Sequence, residues 1–243
     1  MRGLNVPGMG QQIYETFLMF FRNWKIFGGL VVLSTVLMAL AMGALTETVA
    51  VFAVLIFLMI WLTTIFTVRH LKAGHKVTLR DGLYNAMTPL MSSLVIFVVI
   101  AVECVPILLV IVAYSAAVQT DFLTMPFYAL LFLGFAGVMI VLSGYLLSSS
   151  LISLIAVSAP GMYPWKALVT ATDLMMGRRI RFILRVIALG LVLGVIWGAI
   201  VLPLAVLKLP VEVLSVVMAF LGCFSATYAT IYLYLYYRYL LNA

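Results

Sequence analysis

The chain has 243 residues, of which 66% are hydrophobic and 9% charged, and its formal net charge is +7. A soluble domain carries about 25% charged and roughly 45–50% apolar residues, so this composition excludes a water-facing globule and predicts an integral membrane protein. It also leaves no stretch for a soluble catalytic domain, and the basic excess flanks apolar runs instead of forming a nucleic-acid-binding face.

A spanning helix needs about 20 mostly apolar residues. Six runs meet that need: 26–45, 49–68, 94–118, 126–157, 180–207 and 211–235. They are long and unbroken, unlike the alternating segments of about 10 residues that build a barrel, so the expected fold is all-α. The first run is preceded by QQIYETFLMFFRN (11–23), with apolar residues at helical spacing and polar residues between them. ALAMGAL (39–45) mimics a signal-peptide cleavage site, but about 25 residues precede the apolar run, more than a short charged leader needs, so this span is expected to be retained. The basic link RHLKAGHK (69–76) follows the second span, with His70 and His75 but no cysteine or carboxylate cluster, so no metal site is expected. A second amphipathic stretch, DGLYNAMTPLMSS (81–93), then leads into the third span, with Thr78 or Asp81 as its cap.

The third span contains the sharpest local anomaly, Glu103 within IFVVIAVECVPILLVIV (96–112). A charge at mid-bilayer costs about 2.5–3.5 kcal/mol on an insertion scale, and such residues usually face the bundle interior or a water-filled cavity. Pro106 cannot donate to the Val102 carbonyl, which predicts a kink beside Glu103. Tyr114 lies eleven residues on, about three turns, on the same face. Two readings follow: a proton, cation or head-group site, or a neutral carboxyl bonded to a serine or tyrosine of a neighbouring span. The fourth span supplies partners in SGYLLSSSLIS (143–153), namely Ser143, Tyr145, Ser148, Ser149, Ser150 and Ser153. They read either as packing glue, at about 0.6 kcal/mol per interhelical bond, or as the lining of a polar cavity.

SAPGMYP (158–164) stops the fourth span. A third amphipathic stretch, KALVTATDLMMGR (166–178), leads to Arg178, Arg179, Arg181 and Arg185, which anchor the topology or form a pocket for anionic phospholipid head groups. Asp173 is a candidate ion-pair partner for them. Gly190, Gly194 and Gly198 form a small-residue stripe that lets another helix approach closely, from this chain or from a second copy. The last span ends in six tyrosines between positions 228 and 239, read as an interfacial aromatic belt. Cys104 and Cys223 lie deep in spans and read as small apolar packers.

With the amino terminus cytoplasmic, thirteen basic residues fall on the cytoplasmic side and only Lys208 falls outside, where the turns carry Glu47, Asp121 and Glu212. Both termini are therefore expected to be cytoplasmic. The three amphipathic stretches superpose without gaps, aligning Ile13, Leu83 and Leu168. The chain reads as one membrane domain of three pseudo-repeats (11–77, 78–163, 164–243), each a cytoplasmic-side interfacial helix followed by a helical hairpin.

PGMYPWKALVTATDLMMGRRIRFILRVI (160–187) carries a proline turn, an amphipathic helix, a glycine, an arginine cluster and a new span, in that order. In this it resembles six-span bacterial inner-membrane proteins of the YciC-like kind and the membrane domain of some glycerophosphodiester phosphodiesterases. The resemblance implies a fold and a bacterial cytoplasmic-membrane location. It carries over no active site, and the phosphodiesterase catalytic domain has no counterpart here. No GxGxxG, Walker loop, HExxH or GxSxG occurs. The favoured reading is a non-enzymatic protein, without cofactor, that engages membrane lipids, a membrane partner or a second copy. The alternative is a small transporter or permease subunit with Glu103 at its midplane, and a third is a lipid-modifying enzyme using Glu103 and Tyr145.

Overall fold

A computed structural model describes residues 8–44, 49–120, 125–159, 161–207 and 210–241, so Glu47, Asp121 and Lys208 of the outer turns lie outside the described residues. Among these described residues ten helices follow in order: α1 (Met9–Arg22), α2 (Trp24–Ala44), α3 (Val49–Lys72), α4 (Leu79–Ala86), α5 (Leu90–Glu103), α6 (Val105–Gln119), α7 (Pro126–Ala156), α8 (Pro164–Met175), α9 (Arg179–Val206) and α10 (Val211–Leu241). No strand occurs among the described residues. Six helical stretches are long and apolar enough to cross a bilayer: Trp24–Met42, Val51–Lys72, Leu90–Gln119, Pro126–Ala156, Arg179–Val206 and Val211–Leu241.

Local chemistry explains the boundaries. Thr78 and Asp81 close a reciprocal capping box that starts α4: Thr78 Oγ1 accepts from the Asp81 amide at 3.3 Å, and the Thr78 amide donates to Asp81 Oδ2 at 3.1 Å. After α3, the His75 amide donates back to the His70 carbonyl and the Gly74 amide to Leu71. That pairing needs a left-handed residue, which Gly74 provides at φ 83°. Between α8 and α9, Met176 (φ −59°, ψ 125°) and Gly177 (φ 71°) form a type II turn closed by the Arg178 amide on the Met175 carbonyl. The second amphipathic stretch is shorter than expected. Only Leu79–Ala86 forms the separate helix, and after a turn at 87–89 the chain already belongs to α5.

The described residues form two compact units, one from 1–91 with 185–243 and one from 92–184. In the first, α2, α3 and α10 pack on one another, α4 lies on α3, and α1 lies on α10. Phe27, Leu30, Leu58, Leu62, Ile65 and Tyr232 fill its interior. In the second, α7 is the central element, packed by α6 and by α8.

Helices in lipid gain no hydrophobic drive toward each other, so contact rests on small residues and close packing. Each of the three short helices buries a single face, and in α4 and α8 that face is mostly small. Their buried residues are Gln12, Thr16 and Phe20 on α1, Gly82 and Ala86 on α4, and Ala167, Ala171 and Met175 on α8. These fall at the same positions of the gapless superposition. The closest approach is at Gly82, where a Cβ would stand 3.1 Å from both Thr63 Cγ2 and Thr67 Oγ1.

Candidate functional site

The predicted third span is two helices joined at Cys104, with Pro106 in the first turn of α6. The Cys104 amide still donates to Ile100 and the Leu108 amide to Cys104, so the ladder resumes within one turn of the proline. Glu103 is the last residue of α5, beside this break. It lies about 20 Å along the helix from Leu90 and about 24 Å from Gln119, near the middle of the apolar stretch.

Two serines of α7 hold it. Ser150 Oγ donates to Glu103 Oε1 at 2.8 Å, and Ser143 Oγ donates to the Glu103 backbone carbonyl at 2.8 Å. They are seven residues apart, about two turns, and so share one face of α7. The second carboxyl oxygen, Oε2, is buried and has no hydrogen-bond partner among the described residues. The Arg179 guanidinium is held on the same helix, α7. It sits 3.9 Å from the centre of the Tyr145 ring and donates to the Tyr145 carbonyl at 3.3 Å.

The remaining candidates are placed differently. Ser148 and Ser149 donate to the Tyr145 and Leu146 carbonyls of their own helix, and Ser153 donates to Ser150. The Tyr145 side chain is half-exposed beneath Arg179 and makes no hydrogen bond to Glu103. Tyr114 is also half-exposed, and its ring lies 6.0 Å from Phe132 instead of joining the carboxyl. Within 92–184 the arrangement thus reduces to Glu103, Ser143 and Ser150, with Arg179 held on Tyr145 of the same helix as the serines. Chemically, one carboxyl oxygen is already engaged. The other is positioned to carry a proton or to accept from an ammonium or hydroxyl.

The four arginines divide. Arg179 is tied to Tyr145, whereas Arg185 Nη1 donates to Gln12 Oε1 at 2.6 Å and its guanidinium lies 5.2 Å from the Tyr236 ring centre. Arg178 is half-buried and Arg181 exposed, and neither makes an ion pair with a described residue. Asp173 is exposed and likewise makes no ion pair with a described arginine. The glycine stripe stands beside open space: a Cβ on Gly190, Gly194 or Gly198 meets no atom of its own unit within 4 Å. No described helix of that unit makes the close approach the motif allows.

A second polar constellation escaped the sequence reading. Gln12 is fully buried, and its Nε2 donates to the Tyr232 carbonyl at 3.0 Å while its Oε1 accepts from Arg185. Tyr228 Oη donates to the Ile13 carbonyl at 3.0 Å, and Tyr239 Oη donates to Glu15 Oε2. The aromatic-belt reading is therefore corrected for Tyr228, Tyr232, Tyr234 and Tyr236, which are buried inside the unit. Their spacing held a signal: Tyr228, Tyr232 and Tyr236 recur every four residues, on one helical face.

No protein-family model, no curated protein and no solved structure matches the chain.

Proposed function

We propose that this is a non-enzymatic, multi-pass protein of a bacterial cytoplasmic membrane that engages anionic lipids through the outward faces of its three short helices. The observation that supports this reading is what those faces present. Each short helix buries a line of residues at four-residue spacing against a span, yet Tyr14, Tyr84 and Trp165 stay 60%, 81% and 77% exposed. Exposed aromatic and aliphatic side chains mixed with cations (Arg22, Arg80 and Lys166 on the short helices, Arg178 and Arg181 just after α8) are the composition of a helix lying at the head-group level. The recurring buried positions fit three related units, and the basic bias fits cytoplasmic placement of the short helices and both termini.

Two measurements test this. In proteoliposomes, the fluorescence of a variant retaining only Trp165 should be quenched more by brominated phosphatidylglycerol than by brominated phosphatidylcholine. Arg178→Gln with Arg181→Gln should remove that difference, and equal quenching in the parent defeats the reading. A cysteine at Lys76 should resist an impermeant reagent added outside intact cells; modification there reverses the threading.

A second reading, a small transporter or permease subunit, is favoured by one observation, the buried and unpartnered Glu103 Oε2. In that case Glu103→Gln folds and abolishes proton- or cation-coupled uptake in vesicles.

A further inference from the structure

An apolar groove in the unit formed by 1–91 and 185–243 has a volume of about 950 Å³. One wall comes from the end of α1 and from α2, including Phe21, Trp24, Val32 and Val36, and the other from Ile196 and Ile200 of α9 with Phe220 and Phe224 of α10. Among its lining residues a single one is charged, Lys25. Lys25 is exposed and makes no ion pair with any described residue. It stands at one end of the α2 wall, next to Trp24, which is 62% exposed.

The dimensions suit one kind of occupant. From Trp24 to Val36 the α2 wall runs twelve residues, about 18 Å. Half the hydrocarbon core of a bilayer is about 15 Å. The groove is therefore as long as one leaflet, apolar along that length and cationic only at the end where tryptophan and lysine mark the head-group level. An anionic phospholipid brings to that end the counter-charge that Lys25 lacks among the described residues.

We propose that this groove seats one anionic phospholipid, with an acyl chain lying between α2 and the α9–α10 wall and the phosphodiester on Lys25. The proposal rests on the reading of the protein as lipid-engaging and adds a defined internal site with a lipid class. It also gives the aromatic cluster a role. Phe20 stacks near Phe27 at 5.8 Å and meets Phe224 edge-on at 5.3 Å, so the floor of the groove is a rigid aromatic surface instead of a collapsible gap.

The test is native mass spectrometry of the full chain in detergent, supplied with phosphatidylglycerol and phosphatidylcholine of identical acyl chains. The parent should retain one phospholipid and prefer phosphatidylglycerol by about fivefold, the worth of one lysine at a charged head group. Lys25→Gln should bring the preference close to parity. Val32→Trp, which fills the groove from a position 56% exposed, should abolish retention of both lipids while the protein elutes as the parent does. Ile200→Trp fills it from the opposite wall and serves if the first variant does not fold. Undiminished retention in a folded groove-filling variant overturns the proposal. So does conversion of a dimer to a monomer by Val32→Trp, which would assign the groove to a second copy. A preference that survives Lys25→Gln but is lost in Arg178→Gln with Arg181→Gln also overturns it, leaving the outer-face reading intact. Equal retention of both lipids by the parent overturns both.

Discussion

Gln12 and Glu103 each hold helices together by side-chain hydrogen bonds, one in each compact unit, and they do so in opposite ways. Gln12 is fully buried and uses both ends of its amide, on the Tyr232 carbonyl and on Arg185. Glu103 uses one carboxyl oxygen on Ser150 and leaves the other buried and without a partner. A buried polar side chain bonded at both ends fixes one arrangement, and one bonded at a single end carries an outstanding cost that function can explain. The contrast separates a polar group that holds the fold from one that leaves chemical capacity over.

The largest expected effect breaks the comparison at its completed side. Gln12→Leu removes both bonds and takes the acceptor from the Arg185 guanidinium, at a cost of about 2–3 kcal/mol. Reversible unfolding in mixed micelles measures it. Gln12→Glu keeps an acceptor for Arg185 and should recover most of the loss. A Gln12→Leu variant as stable as the parent would show that the network is ornamental.

At the incomplete side the effect is smaller and depends on the substitute. Glu103→Leu forfeits the Ser150 bond and should cost about 1 kcal/mol by the same assay, while Glu103→Gln, whose amide oxygen can still accept from Ser150, should stay close to the parent. A large loss in Glu103→Gln would mean that the carboxyl is structural after all. Ser150→Ala sharpens the point: its coupling to Glu103→Leu in a double-mutant cycle should be about 0.6 kcal/mol, the average for such bonds in a membrane helix bundle.

The smallest effect adds a third polar side chain, the exposed carboxylate of Asp81, one oxygen of which accepts twice from Thr78. Hydrogen bonds first from the Thr78 side chain and then from its backbone hold the Asp81 carboxyl below its ordinary range. A group depressed in the folded state stabilises above its unfolded value and loses that contribution as pH falls through the lowered one. The protection of α4 amides relative to their intrinsic exchange rates should therefore fall on acidification below the ordinary aspartate range. Asp81→Asn should show the reduced protection already at neutral pH and little further loss of protection in acid.

Much of the fold was legible because bilayer thickness leaves a plain mark in sequence, and six apolar runs correspond to six helical stretches. Glu103 was legible for the same reason, as a carboxylate stands out in an apolar run. Its serine partners lie 40 and 47 positions away, on the next span. Gln12 was not legible. It sits among polar neighbours in a stretch whose polarity already had an explanation, and its partners lie 173 and 220 positions away. The glycines teach a related lesson. A stripe of three marks a surface that permits close approach, but the tight contact occurs at Gly82, a lone glycine in an eight-residue helix. Permission is written locally, and the partner's position is not.

The contact between α1 and α10 has a consequence for biosynthesis. At about 5–20 residues per second, a ribosome delivers Tyr232 roughly 11–44 seconds after Gln12, whose amide bonds its carbonyl across 220 positions. During that interval the face of α1 carrying Gln12, Thr16 and Phe20 has no α10 to cover it. The head-group layer is the natural waiting place for an amphipathic helix. The helix made early is thus seated late, and a nascent chain arrested before α10 emerges should hold α1 in a protease-accessible state however well its other spans have inserted.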